Sequence, residues 1–319
     1  RIYIFFIYAF AARSINAYIH VLPPSNAIIS AWRKPCQCGK IIFMKKKFVI
    51  PAFIIVLISA FVMSPLSPYV RSLAVMKVYS YMNEKESLMK ERGIEIDIPG
   101  GGATEKADWY PFVMTYNPDS DFRLYTGDSD VRLTIMYNFP AFDLSKGCSR
   151  LYDDESLYYN GFYGAYGADG RLGFKQDGSF DENEAAVVPE FDMKKLVLED
   201  LGMERSQTVF EWQTTAVLEN VSYAGYDGWT RVDADMTVSG TNHSPVKNYR
   251  NYIQYGKPDY DVNGEEFAPV SMKGRLYARY FEEQDVSIYF YVMARSFDAV
   301  EDCDENILSK SKIKEEGTE

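Results

Sequence analysis

The chain has 319 residues, 47% hydrophobic and 15% aromatic, with 45 acidic against 34 basic residues and a formal charge of -11. So acidic a balance argues against a nucleic-acid partner, because phosphates are held by Lys and Arg. Four cysteines and two histidines also leave little material for a zinc centre or a histidine-dependent triad.

Charge divides the chain. Residues 1–63 hold eight basic residues and no acid, so residues 64–319 carry a formal -19, and the first carboxylate is Glu84. The chain opens with Arg1 and its first methionine is Met44. From Met44 onward the order is basic, then apolar, then small and turn-prone, the plan of a secretory signal or signal anchor. Residues 1–43 are therefore read as an upstream extension outside the fold.

Lys45, Lys46 and Lys47 abut Phe48–Val70, 23 residues without a charge. That length spans a hydrocarbon core of about 30 Å with some tilt. Basic residues stay in the cytoplasm, so residues 44–70 are expected to anchor the chain, with residues 48–70 in the membrane and the acidic remainder outside the cell membrane. Cleavage at Ile58-Ser59-Ala60 or Ser72-Leu73-Ala74 is the alternative, and it predicts secretion. An acidic body is repelled by anionic head groups, so the domain is expected to stand off the bilayer.

Leu73, Met76, Tyr79 and Met82 recur every third residue, predicting a helix over 71–92 that Gly93 stops. Gly100, Gly101 and Gly102 then read as a flexible joint, so that residues 71–104 form a stalk. Its apolar stripe pairs with another copy or covers part of its own domain.

Residues 105–319 are read as one extracytoplasmic α+β domain, a mostly antiparallel sheet with helices on one face. Val131, Leu133, Ile135 and Tyr137 alternate with Arg132, Thr134, Met136 and Asn138; Phe210, Trp212, Thr214, Ala216 and Leu218 form a second period-two run, and Val232, Ala234, Met236 and Val238 a third. A hairpin spans Gly274–Ser296 around Glu282-Glu283-Gln284-Asp285, with Ser287, Tyr289, Tyr291 and Arg295 expected on a solvated face. Met193, Leu196, Val197 and Leu201 predict a helix with Asp192 as its N-cap and Gly202 beyond its end. Ala299, Cys303 and Ile307, beside Val300 and Leu308, predict another. The closing residues from Lys314 are expected to be a solvated end.

Leu157–Gly173 is the most unusual stretch. Tyr158, Tyr159, Phe162, Tyr163 and Tyr166 interleave with glycine at every third position. Flat rings on a pliable loop suit stacking on sugar faces or on a partner protein. The same rings also suit capping the edge of a sheet.

Asp259, Asp261 and Asn263, with Gly264, match the first half of an EF-hand loop, a candidate Ca2+ site. Position 12 is Val270, which supplies no bidentate carboxylate, so a true EF-hand is excluded; Asp, Asn and Gly also serve simple turns. Asp119 and Asp121 form a further acidic turn. Cys148 and Cys303 are the one cysteine pair in the exported part and could close a disulfide; Cys303 equally suits a buried position on its helix.

No residue presents itself as catalytic. His243 sits in a turn-forming context, and Ser87-Leu88-Met89-Lys90 has the spacing of acyl-serine enzymes without their partner motifs. Two function classes remain. The first is an anchored, non-catalytic binding or structural module for an envelope polysaccharide or protein partner. The second is a carboxylate-dependent wall hydrolase, which needs two convergent acids. Stabilisation by calcium is a third expectation.

Overall fold

An apolar helix, α1 (Lys46–Val62), leads into the fold. The computed structural model describes residues 46–100, 109–110, 112–128, 131–182, 184, 186–244, 254–258 and 265–315. The chain divides into two compact units, Arg1–Val56 and Leu57–Glu319. Of the first, only the helical residues 46–56 are described. α1 stops because Pro65 lacks an N–H and its ring crowds the preceding turn. Ser64 N closes a tight turn on Phe61 O at 3.0 Å, and α2 (Leu66–Glu84) starts immediately after Pro65.

α2 is no free stalk. Ser72 and Met76 are buried, and Tyr69, Leu73 and Tyr79 pack against the domain core. Ser72 Oγ donates to Gln254 O, and Thr115 N donates to Ser80 Oγ at 3.0 Å. The Tyr79 ring stacks on Tyr116 at 5.6 Å. The predicted stripe thus covers its own domain through Leu73, Met76 and Tyr79, while Met82 stays exposed.

The helix expected over 71–92 is broken. Ser87 caps a second short helix, α3 (Leu88–Glu91), its Oγ accepting Lys90 N at 3.2 Å. The Ser87–Lys90 spacing is therefore a helix cap. Gly93 ends the segment with φ +70°. β1 (Ile94–Asp97) follows and pairs antiparallel with the last strand, β11 (Lys312–Glu315), Ile94 opposite Glu315. The closing residues are thus partly sheet. Of the expected glycine joint, Gly101 and Gly102 lie outside the described residues.

The main sheet has seven strands, all neighbours antiparallel. They are β2 (Met114–Tyr116), β3 (Leu133–Asn138), β6 (Phe162–Asp169), β7 (Phe210–Tyr223), β8 (Tyr226–Ser239), β9 (Pro269–Phe281) and β10 (Val286–Ala294). Their order is β2-β3-β6-β10-β9-β8-β7, and β4 (Phe142–Asp143) pairs with β5 (Cys148–Ser149) apart from it. The 14-residue strands β7 and β8 meet at Ala224-Gly225, both with positive φ, a turn whose twist suits a hairpin.

Helices cover both faces of this sheet, a correction to the one-faced expectation. On one face Tyr289, Tyr291 and Met293 of β10 join Val232, Leu276 and Tyr166. α2, α4 (Asp119–Thr126) and α5 (Val187–Phe191) pack there through Met76, Phe122 and Phe191. On the other face Ile288, Phe290 and Val292 join Tyr277 and Trp229, under α3 and α6 (Phe297–Asn306). Every residue of β10 is buried, including the Tyr289 and Tyr291 expected in solvent. Tyrosine permits this when its hydroxyl finds an acceptor, as Tyr289 finds Leu172 O.

The helix expected from Asp192 begins earlier, at Val187. Asp192 lies inside it, at the start of a π-helical stretch over Asp192–Leu198, so it is no N-cap. α6 is the predicted C-terminal helix, capped by Ser296 Oγ accepting Ala299 N at 3.2 Å. Asp119 sits in the first turn of α4, where carboxylates favour the helix dipole, and accepts Leu133 N at 3.3 Å.

Candidate functional site

The five aromatic residues singled out in the sequence lie inside the protein. Tyr158, Tyr159, Phe162, Tyr163 and Tyr166 are all at most 4% exposed. Trp109 joins two of them edge-on, Tyr158 at 5.0 Å and Tyr163 at 5.1 Å. The Tyr163 hydroxyl accepts Asn138 Nδ2 at 2.6 Å and donates to Pro99 O at 3.1 Å. Tyr159 Oη accepts Asn242 N at 3.2 Å. The segment is strand β6 and its flanking turns, not a loop. Burial removes these rings from any ready-made stacking surface.

The glycine spacing has two separate causes. At Gly164 a Cβ would collide with the Met136 carbonyl of β3, and at Gly167 with the Met89 sulfur of α3. Gly170 and Gly173 instead turn the chain at φ +69° and +79°. Close packing and tight turning fall at the same interval by coincidence.

Asp259, Asp261 and Asn263 lie outside the described residues. Among the described residues no group of three or more His, Cys, Asp or Glu side chains comes together to hold a metal ion. Cys148 on β5 and Cys303 on α6 are buried in different hydrophobic clusters and are not joined to each other. Burial pushes the Cys303 thiol well up, as suits an inert packing residue. His243 stacks on Phe267 at 4.8 Å with Nδ1 2.8 Å from Thr241 O; burial lowers its pKa.

Two buried carboxylate clusters emerge that the sequence did not announce. Asp192, 1% exposed, accepts the Tyr166 hydroxyl on Oδ2 at 3.1 Å. Its Oδ1 has no partner among the described residues. Burial raises its pKa to about 7, against the lowering effect of the Tyr166 hydrogen bond. The Tyr166 ring stacks on Tyr291 at 4.1 Å and 6°. The cavity beside Tyr291 and Pro189 is about 10 Å³, space for no more than one water. Burial thus favours the protonated form of Asp192. Pro189 sits in the first turn of this helix, where a missing N–H costs least, and is the sequence signal for a start upstream of Asp192.

The second cluster lies between β8, β9 and α6. Arg275 donates through Nε to Asp233 at 2.8 Å and through Nη1 to Asp304 at 2.7 Å. Asp304 also accepts the hydroxyls of Tyr277 and Tyr223, each at 2.7 Å, and those two rings stack at 3.6 Å. Arg231 takes the other oxygen of Asp233 at 2.5 Å. Burial would raise the Asp233 pKa, but the hydrogen bonds from Arg231 and Arg275 outweigh it and hold it low. Both acids are thus committed to internal cations and hydroxyls. Through Asp304 the cluster clamps α6 to the sheet.

Two features stand out on the surface of the described residues. A polar depression of about 400 Å³ lies on the sheet between Glu211, Gln213, Asp235, Thr237, Ser271 and Lys273. The other is apolar: the described side chains of α1, from Ile50 to Val62, are exposed throughout. No single described helix is long and apolar enough to cross a membrane; Ile50–Val62 and Leu66–Glu91 pass that test only as a pair bent by 80°. No protein-family model matches this chain, no curated protein is similar to it in sequence, and no solved structure matches it.

Proposed function

We propose that the chain is a membrane-anchored domain displayed outside the cytoplasm, a non-catalytic module that binds or braces a cell-envelope polysaccharide or protein. The observation that carries this reading is α1. Large apolar side chains such as Ile50, Phe53, Ile55 and Ile58 are each more than half exposed on it, directly after three lysines. Leaving such surface in water opposes about 25 cal/mol for every Å² that lipid would cover. The basic residues before it and the acids that begin at Glu84 orient the domain outward. Commitment of Asp233 and Asp304 to internal partners supports a role in binding or bracing.

Fractionation tests this. The product made from Met44 is expected in the membrane pellet after alkaline carbonate washing, with the domain digested only by protease added outside. Recovery of an intact chain, residues 48–70 included, from the soluble cytosol overturns the reading.

A further inference from the structure

α2 carries a second apolar face that the domain does not use. Tyr69, Leu73, Met76 and Tyr79 turn inward. Leu66, Val70, Ala74 and Val78 follow one another at four-residue intervals on the outer side, and Tyr81 and Met82 continue the stripe. The five large residues of that stripe are 43–61% exposed. Elsewhere after Met63, large exposed apolar side chains among the described residues stand singly, as Leu124 on α4 and Leu218 on β7 do. One contiguous stripe on one helix is a surface, whereas isolated residues are ordinary.

Two further facts select its occupant. No acid occurs before Glu84, while Lys77 lies within the stripe and Lys85 just beyond the helix end. Lys85 Nζ sits 4.1 Å above the Tyr81 ring and donates to its hydroxyl at 2.8 Å, an apolar body with a charged tip. Such a face, apolar with cationic edges, matches the boundary between acyl chains and anionic head groups. In addition, the chain turns through 80° at Met63–Pro65. A segment that enters lipid before that turn leaves the helix after it running along the surface.

We infer that the outer face of α2 lies in the head-group layer of an anionic phospholipid bilayer, seating the domain on the membrane. This rests on the anchored reading above and deepens it. Repulsion between the acidic body and the lipid does not extend to α2, whose charges up to Asn83 are all basic.

The test uses the full chain, with Cys36 and Cys38 changed to Ser, reconstituted in vesicles of phosphatidylcholine and phosphatidylglycerol at about 3:1. Val78→Cys carries an environment-sensitive fluorophore, and Leu124→Cys, on a different helix, is the control. Doxyl-labelled lipid should quench the label at position 78 at least twofold more than the control. Quenching should weaken when phosphatidylglycerol is omitted. In Val70→Glu/Val78→Glu, both exposed positions, a label on Met82→Cys should lose its quenching while the chain stays in the vesicles. Equal quenching at positions 78 and 124 overturns the inference, and so does a bismaleimide cross-link joining two copies through position 78. Quenching indifferent to phosphatidylglycerol overturns its anionic element. Failure of the chain to enter vesicles at all sinks the anchored reading itself, so the two failures are distinguishable.

Discussion

Asp192 and Asp304 are buried carboxylates on opposite faces of one sheet, and the protein treats them in opposite ways. Asp304 receives a guanidinium and two phenolic hydroxyls. Asp192 receives one hydroxyl, and one of its oxygens has no partner among the described residues. A charge removed from water persists only with matched donors, and otherwise the group keeps its proton. The difference lies in the neighbours, Arg275 on one face and Tyr166 and Tyr291 on the other. Opposite responses to substitution follow.

The largest effect is expected for Arg275→Met, which leaves Asp233 and Asp304 buried without their shared cation. A loss of roughly 3–5 kcal/mol in urea unfolding is expected. A loss below about 1 kcal/mol would erase the distinction between the two clusters.

Asp192→Asn should act in the opposite direction, and only at higher pH. A carboxyl whose pKa is raised in the folded state, here to about 7, holds its proton while the unfolded chain loses it near 3.9. Its contribution to stability therefore falls as pH rises from about 4 to about 7, then stays level. The substitution should stabilise by roughly 2–4 kcal/mol at pH 8 and by almost nothing at pH 4. Denaturant midpoints that move equally at both values contradict it. Asp233 gives the mirror image. Its folded pKa is held below the usual range, so its stabilisation is complete above the unfolded value and disappears as pH falls through the folded one.

Tyr223→Phe should cost about 1–2 kcal/mol, because Asp304 keeps Arg275 and Tyr277 as donors. Tyr166→Phe sharpens the contrast: it removes the one hydroxyl Asp192 has and should raise its pKa further, visible in a carbonyl infrared titration. Smallest is Lys273→Ala, whose 2.6 Å pair with Asp235 is 41% and 51% exposed. Less than about 1 kcal/mol is expected, declining with salt.

Local periodicity made much of the fold legible. Leu133, Ile135 and Tyr137, the Val232–Val238 alternation, the hairpin turn before Val286 and the Ala299–Cys303 helix all stand where period two or four puts them. Tyr289 misled because tyrosine counts as wettable until an acceptor for its hydroxyl is known, and Tyr291 because its ring stacks on Tyr166 across the sheet. Strand β6 read as a loop because glycine usually marks one, whereas Gly164 and Gly167 serve close packing. Arg275 and Asp304 are 29 residues apart and share no local pattern. Asp192 resembled a cap until the helix proved to begin at Val187 and to widen into a π turn.

The pairing of Ile94–Asp97 with Lys312–Glu315 has a consequence for synthesis. Residues 94–97 must wait for residues 312–315 before their ladder can close, since Ile94 meets Glu315. During translation the Ile94 and Ile96 side chains stay without their final cover until residues 312–315 have emerged. A nascent chain stalled before Lys312 would lack this clasp, so residues 312–315 act as a latch over β1.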